Sequence, residues 1–409
     1  MNFLFISNHF KGNIDRKPTA TYKRMEMFIS AVKELGTLDM LFYVPSDIDT
    51  SKSAVAKFQQ SLSSYWDVDI KLFLCPRVEH KERMTRWGLY GAGAFSFFKQ
   101  LRSAGTSGLR QVQAFRDCLQ RKPTSIIAHR LESICPLLLT NHTDIPVYFD
   151  LDDIEHVALI RNIGQPPRWM GKPLLYLQVP ALWWGERRAI KMARKTFVCS
   201  EKDRNYLQNF WGLSGVRVVP NAAAIPKPLS HTNSQVLLFI GSYNYTPNVI
   251  AAEYLINKIW PYVYKAVPDA RLLIAGTYPE NISCFKTKIP GVEFTGFVDD
   301  LDKLYQQSRV ICCPILSGGG TRLKIIEAAA YGKPVVSTTI GAEGIEMYDG
   351  RELLLRDDPA SFAEACIDLL NSINLCNKLG SAAREVTIRN YDRNNVIRLI
   401  KQYITEVNE

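Results

Sequence analysis

At 409 residues with a formal net charge of +10, the chain is longer than one compact core usually supports, so two domains are expected. Its composition, 46% hydrophobic and 22% charged, is that of a globular protein; no apolar run nears the about 18 residues of a membrane span, and the opening MNFLFISNHFKG lacks the basic flank of a secretory signal. Nine cysteines without a C-x-x-C pair argue against a metal site and a disulfide framework, and for a reducing cytoplasm.

Short aliphatic runs alternate with helical patterns along the chain. NFLFIS, LDMLFYV, VDIKLFLC, SIIAHR, PVYFDL and KTFVCS read as strands in the first half, and VLLFIGS, ARLLIAG, GVEFTG, RVICCPI and PVVSTT in the second. Helical periodicity covers residues 22–35, 181–194, 249–265 and 321–331. This alternation predicts an α/β protein with parallel, doubly wound sheets, and two sets of strands predict two such domains. Pro220, Pro226 and Pro228 interrupt regular structure where the sets meet, which places a boundary at 220/221. The expected organisation is an N-terminal domain over 1–220, a C-terminal domain over 221–385, and a terminal amphipathic helix over 386–409 packing back toward the first domain.

Charge is uneven. Residues 1–200 hold 28 Lys/Arg against 18 Asp/Glu, whereas residues 201–409 hold 22 of each, so the excess lies in the first half and suits an anionic partner. Two stretches there, residues 80–105 and 166–191, interleave basic with aromatic residues. They fit either a peripheral contact with an anionic membrane or a core-packed helix with a solvated basic face.

The densest chemistry is SGGGTRLKIIEAAAYGKPVV, residues 317–336. A strand feeds three glycines and then a helix, whose first amides lack internal partners and carry the positive end of the dipole. An anion can approach such a turn closely. Lys324 adds a charge in the first turn, and Glu327 lies three residues on, on the same face. From Gly320 to Glu327 is about 10 Å along a helix axis, roughly the span from a pyrophosphate to the ribose of one nucleotide. A solvated lysine paired with a surface carboxylate also fits this spacing. Neither the P-loop nor the G-x-G-x-x-G pattern is present.

GGGTRLKIIEAAAYGKPVVSTTIGAEGIE resembles the nucleotide-binding signature of the retaining glycosyltransferases of family 4, the group 1 sugar transferases of the two-domain GT-B fold. VRVVPNAAAIP, LLFIGSYNYTPNVIAAEYLINKIWPYV, PDARLLIAG and GVEFTGFVDDLDKLYQQSRVICCPI follow in the family's order. The resemblance implies two Rossmann-like domains facing across a cleft. It implies a nucleotide-sugar donor, a glycan or lipid-linked acceptor, surface-polysaccharide synthesis, no metal or other cofactor, no nucleic-acid partner, and a cytoplasmic location at the inner face of the membrane. Gly318, Gly319, Gly320, Thr321, Arg322 and Lys324 are implied to hold the diphosphate and Glu327 the ribose. Gly241, Ser242 and Asn248 line the same site, with the base near Phe297; Asn248 is also a fitting helix N-cap, and Phe297 a fitting core residue. His129 is similar to the family histidine that contacts the transferred sugar, which makes His129, Lys324 and Glu327 the implied catalytic residues. The family's first glutamate falls at Gly319, so the side-chain contact it would make is missing.

Asp150, Asp152 and Asp153 cluster after a strand and are the candidate base should the reaction invert; a solvated, capped turn is the alternative. Glu343 lies in the loop after the next strand of the second domain. Two other functions fit parts of the pattern. A sugar-nucleotide epimerase would bind the same donor without an acceptor. A nucleic-acid-binding or scaffolding protein with a relic nucleotide site would show steeply salt-dependent affinity.

Overall fold

The computed structural model describes residues 1–10, 12, 19–77, 106–140, 144–166, 168–229 and 234–406. The basic aromatic segment at 80–105 lies outside these residues. The chain forms two compact units, Met1–Val219 with Ile397–Glu409, and Pro220–Val396. Residues 386–396 therefore belong to the second unit.

In the first unit, seven strands run β1 (Asn2–Ser7), β2 (Thr37–Val44), β3 (Ile70–Pro76), β4 (Ser125–His129), β5 (Val147–Asp152), β6 (Lys195–Val198) and β7 (Val216–Val218). They pair in the order β3-β2-β1-β4-β5-β6-β7, all parallel. The second unit has β8 (Val236–Ile240), β9 (Arg271–Ala275), β10 (Val292–Gly296), β11 (Val310–Cys313), β12 (Val335–Ser337) and β13 (Leu354–Leu355). Their order is β10-β9-β8-β11-β12-β13, again parallel. Both sheets are Rossmann sheets, because the strand order reverses beside the first strand of each.

Helices cover both faces of a parallel sheet, so its strands read as continuous apolar runs. Leu4, Ile6, Ile126, Ala128 and Phe149 build the first core, and Leu237, Phe239, Ile311, Ile325 and Ile326 the second, all fully buried. All eleven strands read from the sequence are present. β7 and β13, of three and two residues, are too short to carry a periodic signal.

Two departures from the expected helices have local causes. The pattern over 249–265 folds as Thr246–Tyr254, a wide π turn at Leu255–Ile259, and Trp260–Ala266; Pro261 lacks the N–H that a continuous α-helix requires there. At the C-terminus the single expected helix is broken at Tyr391 and Asp392 into Ile373–Asn390 and Arg393–Thr405. The later helix is tied into the first unit: Lys195 Nζ donates to Tyr403 O and Glu406 Oε2, each at 2.7 Å, and Tyr148 OH donates to Ile404 O at 2.8 Å. No described helix is long and apolar enough to cross a membrane.

Candidate functional site: the carboxyl ends of β8 and β11

Ligands of open α/β sheets bind beyond the carboxyl ends of the strands where the order reverses, here between β8 and β11. β8 is followed by Gly241 and Ser242, and β11 by the turn at 317–320. Gly241 is required by close approach: a Cβ there would lie 2.9 Å from Asn248 Nδ2 and 3.0 Å from its Cγ. The Asn248 amide donates to Ser242 O at 2.9 Å and accepts from Lys324 Nζ at 2.9 Å. Asn248 lies inside the helix Thr246–Tyr254, whose N-cap is Tyr245, so its side chain serves this bridge rather than a cap. Ser242 Oγ sits 2.8 Å from both Asn244 Oδ1 and Thr277 Oγ1.

The Gly-rich turn has the backbone its sequence demands. Gly318 and Gly320 have φ of +103° and +65°, a region that side chains disfavour. A Cβ on Gly318 would also lie 2.8 Å from Tyr245 OH. The following helix is Leu323–Ala330, two residues shorter at its start than expected, with extended Arg322 as its N-cap. The separation of Gly320 from Glu327 is thus about 6 Å of helix plus the non-helical Thr321 and Arg322. Leu323, Ile325, Ile326, Ala328, Ala329 and Ala330 pack inward, leaving Lys324 and Glu327 together on the half-buried face. The helix ends in a Schellman motif: Gly332, φ +72°, donates to Ala329 O, and Lys333 N donates to Ala328 O. That is the role of Gly332, the fourth glycine of the stretch 317–336.

Lys324 is held ready rather than solvated. Its ammonium lies 4.3 Å from the centre of the Phe239 ring, and burial lowers its pKa to about 8, with Arg322 lowering it further while Cys313 and Glu327 oppose. Arg322 is placed otherwise than expected. Its guanidinium turns back on its own loop, with Nη1 donating to Gly319 O and, at 2.6 Å, to Gly320 O, and Nη2 donating to Ser317 O at 3.2 Å. It holds the turn instead of pointing outward as a phosphate ligand, because those carbonyls need partners. Asn221 Nδ2 donates to Thr321 Oγ1 at 2.9 Å and fixes the turn from the other side. Phe297, just past β10, is 48% exposed and so is not a core residue. Glu343 is half-buried in the turn after β12.

The corresponding place in the first unit lies between β1 and β4. His129 ends β4 fully buried, with Nδ1 2.8 Å from Asp150 Oδ2, and its Nε2 has no partner among the described residues. The ring of His9 meets its own edge-on, with centroids 5.6 Å apart. Arg24 ion-pairs with Asp150 at 2.6 Å and with Asp152 at 3.3 Å, and Arg130 with Asp152 at 2.5 Å and Asp153 at 3.8 Å. Although burial alone would raise it, Arg130 and Arg24 hold the Asp152 carboxyl well below the usual carboxylate range. Arg130 and Asp152 both have positive φ, 70° and 62°, so strained backbone gathers at these strand ends. Asp152, Asp153 and Cys199 bring donor atoms within 4.8 Å of one another. The Asp152 carboxylate is committed to two guanidiniums, however, and that group reads as an ion-pair network.

The structure thus brings Gly241, Ser242, Asn248, Gly318, Gly319, Gly320, Thr321 and Lys324 to one pair of strand ends, with Glu327 further along the same helix. Sequence reasoning missed Arg24, His9 and Asn8, whose Oδ1 lies 2.7 Å from His9 Nδ1. Asn8 and His9 directly follow an apolar strand, a readable signal, whereas nothing in the helix pattern singles out Arg24.

Two Rossmann units, one carrying a cationic Gly-rich turn, define a protein of the GT-B class. Residues 234–372 match the family model described as glycosyl transferases group 1. A Klebsiella pneumoniae protein of 44.6 kDa in the cps region is 28% identical over 172 residues, 40% of this chain and 44% of that protein. The phosphatidyl-myo-inositol mannosyltransferase of Mycobacterium leprae is 29% identical over 164 residues, 39% of this chain and 43% of the relative. The similarity thus spans less than half the length of either relative. Among solved structures, Anabaena HepE in complex with UDP-glucose superposes with a TM-score of 0.65 at 12% identity, over 100% of both chains. WaaG, a glycosyltransferase involved in lipopolysaccharide biosynthesis, gives 0.63 at 11%, also over 100% of both. At these identities the likeness is one of fold.

Proposed function

We propose that the chain is a glycosyltransferase that moves a sugar from a nucleoside-diphosphate sugar to a glycan or lipid-linked acceptor in surface-polysaccharide assembly. The observation that carries this reading is the convergence of a positive-φ glycine turn, an open helix N-terminus and Lys324 beyond β8 and β11. That combination offers backbone donors and one cation to a diphosphate, with Glu327 down the helix for the ribose hydroxyls. The Mycobacterium leprae relative, named as a phosphatidyl-myo-inositol mannosyltransferase, supports a lipid-linked acceptor.

Retention suits the site. An inverting reaction needs a carboxylate base, and Asp150, Asp152 and Asp153 are all engaged by Arg24 or Arg130. In retaining transfer the protein positions both substrates and stabilises charge growing on the leaving diphosphate, which the turn and Lys324 are built to do without a metal. The protein works at the cytoplasmic face of the membrane, touching anionic lipid through exposed Trp169, Met170, Tyr176 and Leu177 beside Arg168.

Calorimetry with UDP, GDP, ADP and CMP tests the donor site. One nucleotide binds the wild type, and Glu327→Ala and Lys324→Ala both weaken it. Binding of none, or binding indifferent to both substitutions, sinks the reading. Cosedimentation with phosphatidylglycerol vesicles tests the membrane contact separately.

A further inference from the structure

We infer that Arg322 acts on the diphosphate at second hand, as the positioning residue that shapes the Gly-rich turn into an anion nest. The inference rests on the donor-site reading above and assigns Arg322 a part in it that a direct phosphate contact would not require.

In a trans peptide the N–H points opposite the C=O. Arg322 collects the carbonyls of Ser317, Gly319 and Gly320 on one guanidinium. The N–H groups of Gly320 and Thr321, which share peptide planes with the last two carbonyls, therefore leave on the opposite side. Among the described residues neither N–H has a protein acceptor. The positive φ of Gly318 and Gly320 on either side of Gly319 supplies the alternation in which successive amides converge on an anion. The N–H groups of Leu323 and Lys324, the first of the helix, also find no acceptor among the described residues, extending the row of donors toward the Lys324 ammonium.

Only an arginine can do this. Its planar fork carries five donors and reaches several carbonyls at once, whereas a lysine ammonium is a compact point charge on a flexible stem. Without the fork, three carbonyl dipoles lose their common partner and the turn relaxes. A carbonyl that swings toward the ligand side then repels a phosphate in place of an amide that would bind it. Charge at position 322 is thus secondary, and hydrogen-bond geometry is what matters.

The test uses the full chain, with Arg322→Lys and Arg322→Gln measured against whichever of UDP, GDP or ADP the wild type binds. The parent nucleoside is measured by competition. Both variants lose roughly tenfold or more in diphosphate affinity, as expected when charge-assisted hydrogen bonds are removed, and lysine does no better than glutamine. Nucleoside affinity is unchanged. The salt dependence of the remaining diphosphate binding keeps the wild-type slope, because no phosphate contact has been removed. Millimolar guanidinium restores part of the glutamine variant's affinity.

Full rescue by lysine, or a shallower salt slope in Arg322→Gln, would mean a direct phosphate contact and overturn the inference. An equal loss of nucleoside affinity would mean a general structural role and do the same. If the wild type binds no nucleoside diphosphate, the donor-site reading itself fails. If Lys324→Met weakens the diphosphate and both Arg322 variants match wild type, only the role of Arg322 falls.

Discussion

Replacing Lys324 by methionine isolates the charge that the proposed function assigns to the diphosphate. A phosphate oxygen about 4 Å from the ammonium gains about 4 kcal/mol at the effective dielectric of a partly exposed site. Against this stand the contacts given up: the hydrogen bond to Asn248 at 2.9 Å, about 1 kcal/mol, and the cation–π contact with Phe239 at 4.3 Å, about 1 kcal/mol. The net is about 2 kcal/mol, or roughly 30-fold in affinity at neutral pH. The pH dependence then separates charge from packing. In the free protein the Lys324 pKa is lowered to about 8, and a bound phosphate raises it. Affinity is flat below pH about 8 and falls above it, by up to about tenfold per pH unit, because the bound state must recover a proton that the free state has lost. Calorimetry from pH 7 to 9.5, in buffers of differing ionisation enthalpy, reads both the affinity and the proton uptake. Lys324→Met should be weak at pH 7 and flat across the range. A variant that binds like wild type at pH 7, or that falls in parallel with it above pH 8, refutes the reasoning.

Three further outcomes follow from the geometry. Gly241→Ala places a methyl 2.9 Å from Asn248 Nδ2 and displaces the Lys324 bridge; nucleotide affinity drops while the unfolding free energy from urea titration changes by less than about 1 kcal/mol, and unchanged affinity would remove Asn248 from the site. Burial, with His129 and the Arg130 and Arg77 cations adding to it, lowers the His9 pKa to about 3. The unfolded chain therefore takes up a proton that the folded one refuses, and stability is lost progressively as pH falls from about 6.5 toward 3. His9→Gln flattens that part of the denaturation profile, and a slope identical to wild type would contradict it. Lys195→Met removes the donor to Tyr403 O and Glu406; faster amide exchange at residues 397–406 is expected, with exchange elsewhere unchanged.

Local pattern alone determined much of this protein. Eleven strands are legible because a sheet covered on both faces demands unbroken aliphatic runs, and the helix carrying Lys324 and Glu327 because its apolar residues repeat at helical spacing. The glycines at 318, 320 and 332 are legible for the same kind of reason, since positive φ is a backbone demand that residue type reports directly. Only the tertiary structure decided which side chains meet. Lys324 and Asn248 are 76 residues apart, and Arg24 and Asp150 are 126 apart; parallel pairing of distant strands brings each pair together, and no periodicity encodes it. Arg322 shows the same limit over a few residues. Sequence names its charge, but the direction of its guanidinium depends on which carbonyls the folded turn leaves without partners.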